Sequence, residues 1–385
     1  MMLLYNHIAP RFSKLELEMV QHIPPGGNWQ DIPESVPSQR LAQIRRNGGG
    51  RTTYYGRLRW NKPSYTISTY FNRMGNGCHI HPEQNRLISI REGARLQSFP
   101  DSYRFHGSKA SIYKQIGNAV PPLLGFVIAS SLRHRIRSPY FVDLFAGAGG
   151  LSEGFRMGGL TPVAGIEIDE SFFQTYKKNL GSTDGNGFVC GNVCEARNQK
   201  KIVDESSSFD VDVIAGGPPC QGFSLAGWFN PSDLRNQLFK EFVSMVAHLS
   251  PKIFILENVL GMLSMDKGGF VRKMISEFES IGYYVSMPWK LNAADYGVPQ
   301  LRKRVFLVGS SQRSEFLPPS PIFDEEHYAT VKDAIFGLPP LEPGDGEDSI
   351  EYNLEAHSNY QRFLMGEIDA ESFIQIQSTK LIVKN

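Results

Sequence analysis

Residues 211–227, Val-Asp-Val-Ile-Ala-Gly-Gly-Pro-Pro-Cys-Gln-Gly-Phe-Ser-Leu-Ala-Gly, constrain the fold more than any other stretch. Val211, Val213 and Ile214 are β-branched and suit a strand covered on both faces, while Gly216, Gly217, Pro218 and Pro219 cannot extend it. Cys220 is therefore expected at the carboxyl edge of a buried strand, which is where open α/β sheets bind ligands. A thiol there becomes a nucleophile when a positive charge or a helix N-terminus lowers its pKa. Taken alone it reads equally as a small buried hydrophobe.

A second stretch repeats the pattern. Tyr140-Phe-Val-Asp-Leu-Phe-Ala-Gly-Ala-Gly-Gly150 runs from an apolar strand into a glycine-rich turn, and Leu151–Met157 can open a helix behind it. Such glycines let backbone approach a ligand, although the spacing is not the Gly-x-Gly-x-x-Gly of dinucleotide enzymes. About twenty residues on, the Val163–Ile168 run ends in Glu167 and Asp169, where a carboxylate can hold ribose hydroxyls. Strand signals at 140–145, 162–168, 187–193, 210–215, 252–257, 283–287 and 304–309 alternate with helical segments, which predicts a doubly wound α/β domain. With 385 residues, 41% hydrophobic, the chain can bury a large core and is expected to form two domains.

Six motifs then carry a resemblance. Phe145-Ala-Gly-Ala-Gly-Gly150, Pro218-Pro-Cys-Gln221, Glu257-Asn-Val259, Gln300-x-Arg302-x-Arg304, Arg91-Glu-x-x-Arg-Leu-Gln-x-Phe-Pro100 and Gly117-Asn-Ala-Val-Pro-Pro122 resemble the motif set of DNA (cytosine-5) methyltransferases. The likeness runs from about Trp29 to Pro340. Its order departs from the family, in which the Arg-Glu and Gly-Asn motifs close the chain. Here they precede the glycine-rich turn, as in a circular permutation.

The resemblance implies a mixed sheet of the S-adenosylmethionine-dependent methyltransferase type with a smaller target-recognition domain, acting on double-stranded DNA by base flipping. It makes Cys220 the nucleophile at carbon 6 of cytosine, puts Glu257 at ring nitrogen 3, and gives Arg302 and Arg304 the base's carbonyl and the adjacent phosphate. Alternation along a strand would put both guanidinium groups on one face. The donor falls to Phe145, Gly147, Gly149, Gly150, Glu167, Ile168, Asn192, Pro219, Leu238, Asn118 and Ala119. Asn192 stands where the family usually carries an acidic residue, so a charge-assisted bond to the donor gives way to a neutral one. Gln221, Ser224, Asn258, Gln300 and Arg91 fall on the substrate side. No metal is implied. A cognate restriction endonuclease encoded nearby is compatible with the likeness and not required for activity. An RNA cytosine-5 methyltransferase would share these motifs, and a noncatalytic DNA-binding subunit could keep the fold. A dinucleotide oxidoreductase would explain the glycine turn but leave Pro218-Pro-Cys-Gln221 without a role.

The remaining sequence fills in the organisation. Lys plus Arg is 40 against 39 acidic residues, so a nucleic-acid partner must be met by local clustering. Arg40, Arg45, Arg46, Arg51, Arg57, Arg59 and Lys62 interleave with Tyr54, Tyr55, Trp60 and Tyr65, a mixture able to meet phosphates and bases, with Arg59 the chosen contact. Ser89 with Glu92 predicts a capped helix ended by Phe99-Pro100, and Tyr113–Arg133 a second helix returning to the sheet. Residues 1–105 and 319–385 are expected to form the two parts of the recognition domain, around a catalytic domain of 106–318. Four cysteines without paired spacing suggest neither disulfide framework nor zinc site. With no apolar run of membrane length and no signal peptide, a monomeric protein of the bacterial cytoplasm is expected.

Overall fold

The computed structural model describes residues 2–181, 187–219, 234–353 and 355–382. The chain divides into two compact units: Met1–Leu123 with Ala293–Arg302 and Pro321–Asn385, and Leu124–Asn292 with Lys303–Ser320.

The second unit is built on an eight-stranded mixed sheet. Its order is Tyr284–Val285, Lys303–Ser310, Ile253–Val259, Val211–Gly216, Tyr140–Leu144, Thr161–Glu167 and Phe188–Cys190, and Trp289–Asn292 also pairs with Lys303–Ser310. The strands from Ile253–Val259 to Phe188–Cys190 run parallel, and Lys303–Ser310 returns antiparallel. Every expected strand is present; Trp289–Asn292 is additional. The topology fixes where a ligand can enter. From Tyr140–Leu144 the chain winds outward through Thr161–Glu167 and Phe188–Cys190, then crosses back to Val211–Gly216 on the other side of Tyr140–Leu144. The carboxyl end of Tyr140–Leu144 is thus the switch point, where adjacent connections leave in opposite directions and open a crevice. The strands are apolar because helices cover them. Val142, Leu144, Ile166, Ile214 and Leu256 are buried with Phe242, Phe254 and Phe278, the last two stacked at 3.9 Å.

The first unit combines helices, among them Lys14–Gln21, Gln39–Arg46, Lys109–Asn118 and Ala370–Ile382, with two-stranded ladders. Met2–Ile8 pairs antiparallel with Gly346–Tyr352, so both ends of the sequence supply one two-stranded sheet. Gly56–Arg57 pairs with Cys78–Ile80, and Ser64–Tyr65 with Gln300–Leu301. The Ile90–Leu96 helix begins with the expected capping box between Ser89 and Glu92. The expected Tyr113–Arg133 helix is instead two, Lys109–Asn118 and Pro122–Leu132, because Pro121 and Pro122 supply no amide to continue the first. By length and composition the Lys109–Arg135 stretch could cross a membrane, a match the sequence reading did not expect; 78% of its apolar window is buried within the protein.

Candidate active site

The switch point is built from three strand ends of the sheet unit. After Leu144 the chain enters a turn in which Phe145, Gly147 and Gly149 all have positive φ, 61°, 58° and 84°. A left-handed residue is inexpensive for glycine and strained for Phe145. Gly149 caps the Gly150–Met157 helix, whose free amides face the turn. A Cβ built on Gly147 would meet nothing within 4 Å, so the space beside this backbone is open.

Glu167, at the end of the adjacent strand, closes the turn from the side. Its carboxylate accepts the Gly147 amide at 2.8 Å and the Asp169 amide at 2.9 Å. Burial raises its pKa and these amide bonds oppose the rise. With the Ile168 amide also bonded to it, the carboxylate keeps lone-pair capacity for a ligand hydroxyl. Ile168 follows, 68% exposed, an apolar side chain left in water at the carboxyl edge. Asn192 accepts the Cys194 amide on its own side-chain oxygen at 3.0 Å, so that oxygen has one lone pair left for an amino group. Phe145 and Leu238 pack partly buried against the sheet's core, and Pro219 is exposed.

One residue of this wall was not singled out in the sequence. Asp143, inside the strand, is 2% exposed and accepts from the Ser152 hydroxyl, which lies 3.0 Å from the Tyr176 hydroxyl. Burial pushes its pKa up to about 7, with the Ser152 bond opposing and Glu167 adding to the rise. The signal available was an acidic residue within an apolar strand, Phe-Val-Asp-Leu.

The other wall carries the carboxylate and arginine expected to be catalytic. Ile253–Leu256 is buried, and Glu257 then emerges 15% exposed, its Oε1 3.0 Å from the Nε of Arg304 on the antiparallel Lys303–Ser310 strand. Glu257 Oε2 would lie 3.0 Å from a Cβ on Gly217, so the backbone leading to Cys220 runs against this carboxylate. Asn258 Nδ2 donates to the Pro218 carbonyl at 3.1 Å. The Gly217–Pro219 loop, Glu257 and Arg304 therefore form one assembly at the edge that carries the glycine turn. Cys220, Gln221 and Ser224 lie outside the described residues.

Several expected contacts are corrected. Asn258 is buried, its amide spent on Pro218 and its oxygen on the Val259 amide, so it holds the loop and does not face a substrate. Arg91 is fully buried and donates to the carbonyls of Tyr5, Pro100 and Tyr103, with Asp101 the carboxylate that acts on its charge; a guanidinium so enclosed does not reach DNA. Gln300 is fully buried against Ile67, Leu96 and Gln97. Arg302 is fully buried too, between the carbonyls of Ile67, Gly117 and Ala119. It lies between Gln300–Leu301 and Lys303–Ser310 with its guanidinium spent on backbone, whereas Arg304 meets the Glu257 carboxylate. Among the interleaved cations, Arg57 is buried on four carbonyls and Asn85, and Arg40 lies 5.9 Å from the rings of both Tyr54 and Tyr55. Arg59 is exposed, as a phosphate contact requires. Asn118 ends the first helix with its side chain exposed, and Ala119 is buried beside it.

Comparison with known proteins bears on this assembly. The family model for C-5 cytosine-specific DNA methylase matches residues 5–134 and 140–374. Type II methyltransferase M.DdeI of Desulfomicrobium norvegicum is 40% identical over 232 residues, 57% of this chain and 53% of the relative. Type II methyltransferase M.AgeI of Thalassovita gelatinovora is 36% identical over 254 residues, 58% and 57%. The chain thus spans about half the length of these relatives. A crystal structure of a putative DNA modification methyltransferase encoded within a prophage of E. coli is 30% identical, with a TM-score of 0.47 over 62% of this chain and 68% of that one.

Proposed function

The chain belongs to the C-5 cytosine-specific DNA methylase family, and from that membership we propose that it methylates carbon 5 of cytosine within a specific double-stranded DNA sequence, as the modifying partner of a restriction system or a phage counterpart. The observation that carries this reading is the Arg304–Glu257 pair lying against Gly217, three residues before Cys220, at the sheet's switch point.

S-adenosylmethionine supplies an electrophilic methyl group. The residues at the glycine turn fit such a donor: the open space at Gly147, the Glu167 carboxylate for ribose hydroxyls and the exposed Ile168 for an apolar base. Asn192, Pro219 and Leu238 join them in this reading, and the resemblance adds Asn118 and Ala119. A cytosine stacked in duplex DNA is out of reach of a thiolate, so the base leaves the helix first, at about a few kcal/mol. Cys220 then forms a bond to carbon 6 while Glu257, aligned by Arg304, donates to ring nitrogen 3 and takes up the charge developing on the ring. Carbon 5, now nucleophilic, accepts the methyl group. Loss of the carbon-5 proton restores the double bond and expels the Cys220 thiolate.

The first unit, assembled from residues at both ends of the sequence, is proposed as the target-recognition unit, with Arg59 among its contacts. The permuted motif order is part of the proposal; the family match in two segments, 5–134 and 140–374, supports it. The protein is proposed to act as a monomer.

Duplex DNA carrying 5-fluorocytosine in the target sequence tests the mechanism, because fluorine does not leave as a proton does. A covalent protein–DNA complex dependent on the donor and lost in Cys220→Ser is expected. Methyl transfer without trapping would refute covalent catalysis.

A further inference from the structure

Gln300 and Arg302 flank Leu301, and both are fully buried within the first unit. Gln300 accepts the Ile67 amide at 2.9 Å and donates at 3.0 Å to the Leu96 carbonyl and to Gln97, which itself donates to the Ile116 carbonyl at 2.6 Å. Arg302 donates to the carbonyls of Ile67 at 3.1 Å, Gly117 at 2.8 Å and Ala119 at 2.9 Å. Besides the Leu96–Gln97 helix end, two backbone segments are fastened to this one tripeptide. The first is the Gly117–Ala119 turn, from which Asn118 projects exposed. The second begins at Ser64–Tyr65, which pairs in register with Gln300–Leu301, and Thr66 adds a bond to the Leu301 carbonyl at 2.7 Å.

The second segment continues into an unusual surface. Tyr65 is 50% exposed and Tyr70 43%, and the Arg73 guanidinium stands 4.9 Å over the Tyr70 ring. Exposed Arg73 over one of these rings, with exposed Lys62 earlier in the same segment, matches phosphate and base chemistry. The two segments also touch: a Cβ on Gly117 would fall 2.5 Å from the backbone of Ser68 and Thr69. Neither can shift alone.

We infer that Gln300 and Arg302 are positioning residues that hold the Gly117–Ala119 turn and the segment from Ser64 to Arg73 together, and so set that segment as a contact surface for duplex DNA. The inference rests on the function proposed above. A planar guanidinium places its donors on three carbonyls from two segments, whereas a lysine ammonium presents one point charge. Replacing it loosens both segments together and leaves Glu257 and Arg304 with their own contacts.

The test separates binding from chemistry in the full chain, with tritiated S-adenosylmethionine and duplex DNA containing the target sequence. Arg302→Lys is expected to raise KM for duplex about tenfold, with donor KM little changed and kcat at saturation within about threefold of the unaltered protein. A kcat loss of about a hundredfold with unchanged KM values places Arg302 on the reacting base and overturns the inference; so does an unchanged duplex KM, whatever the donor KM does. Hydrogen exchange gives a readout that needs no ligand. Residues 64–67 and 117–121 should exchange faster together in Arg302→Lys while 140–144 stay protected, and loss at one segment alone overturns the shared support. If the unaltered chain transfers no methyl group, the functional reading fails and the exchange experiment still decides the clamp. Should Arg302→Lys fail to fold, the exposed change Thr66→Val, which removes the bond to the Leu301 carbonyl, is expected to raise duplex KM about threefold, and an unchanged duplex KM overturns the inference.

Discussion

Gly217→Ala isolates the contact between the Cys220 loop and Glu257. The new methyl carbon would sit 3.0 Å from Glu257 Oε2, against the 3.4 Å at which ordinary contact begins, so a displacement of about 0.4 Å is demanded. Glu257 cannot yield freely, because its other oxygen is held at 3.0 Å by Arg304. Nor does the loop have slack, since the Pro218 carbonyl is bonded to Asn258. The strain therefore falls on the relative position of the carboxyl group and the residue three positions on. If a 1 Å misplacement costs about a hundredfold in rate, 0.4 Å costs roughly three- to tenfold. The assay is kcat for methyl transfer at saturating donor and duplex, with donor affinity measured alongside by calorimetry. Donor affinity should hold, because the glycine turn and Glu167 are untouched. Gly216→Ala is the contrast: there a Cβ would meet the Leu144 carbonyl at 2.2 Å inside the parallel ladder, and loss of soluble protein is expected. An unchanged kcat for Gly217→Ala, or a change in donor affinity in its place, would refute the argument.

Glu257→Gln keeps shape and loses proton donation, so methyl transfer should fall by roughly two to four powers of ten with duplex affinity little changed; activity within about twofold would make Glu257 structural. Acid should destabilise the first unit. His81 accepts the Glu83 and Gln84 amides on Nδ1, which keeps its ring neutral, and burial holds its pKa at about 4, with Glu92 opposing and Arg86, Arg57 and His7 assisting. His79 is likewise lowered to about 4 by burial. The unfolded chain takes up these protons first, so the stability is whole above pH 6.5 and lost between 6.5 and 4, at roughly 3 kcal/mol per histidine. Urea unfolding across that range should show the slope, and His81→Asn, which keeps an acceptor for the two amides, should flatten it by up to about 1.4 kcal/mol per pH unit; an identical slope contradicts the assignment. Removing 347–385 strips the ladder partner from Met2–Ile8 and should abolish sequence-specific duplex binding while the sheet unit keeps its helical circular dichroism; retained specific binding would refute the split recognition unit.

The sheet was legible because its strands are buried on both faces and read as apolar runs ending in glycine or proline, as Val211–Gly216 does. Glu257 was legible for the same reason, an acid directly after Ile253-Phe-Ile-Leu256. The arginines were not. Arg57, Arg91 and Arg302 looked like contacts for DNA or base, and each is spent on three or more backbone carbonyls. The cause lies in the unit they occupy. Its ladders are short and two-stranded, so buried carbonyls in the segments between its elements lack a backbone partner, and the five-donor guanidinium is the side chain best able to satisfy several at once. A sequence gives the charge of such a residue but not whether water or backbone faces it. Asp143 was passed over for the converse reason: an acid inside an apolar strand looks like noise until Ser152 is seen beside it.

The proposed permutation places its joint at 133–139, between the Pro122–Leu132 helix, which follows the Gly-Asn motif, and the Tyr140–Leu144 strand, which leads into the glycine turn. A joint there must satisfy backbone amides that a free chain end would leave to water, and Asp212 does so. Its carboxylate, 1% exposed at the amino end of the Val211–Gly216 strand, accepts the Arg137 amide at 2.6 Å and the Ser138 amide at 2.8 Å and pairs with Lys252 at 2.5 Å. Burial works against the ionised form, but these three partners outweigh it and hold the Asp212 pKa below its usual value. The joint is therefore tied to the strand adjacent to the one it feeds. At the far side of the sequence, Met2–Ile8 lies in register with Gly346–Tyr352, so the segments that the usual order would make continuous are already neighbours through backbone bonds. A change of order costs little under these conditions, because the contacts that define each unit are made between segments and not along the chain, and only the entropy of closing one loop is exchanged for that of another.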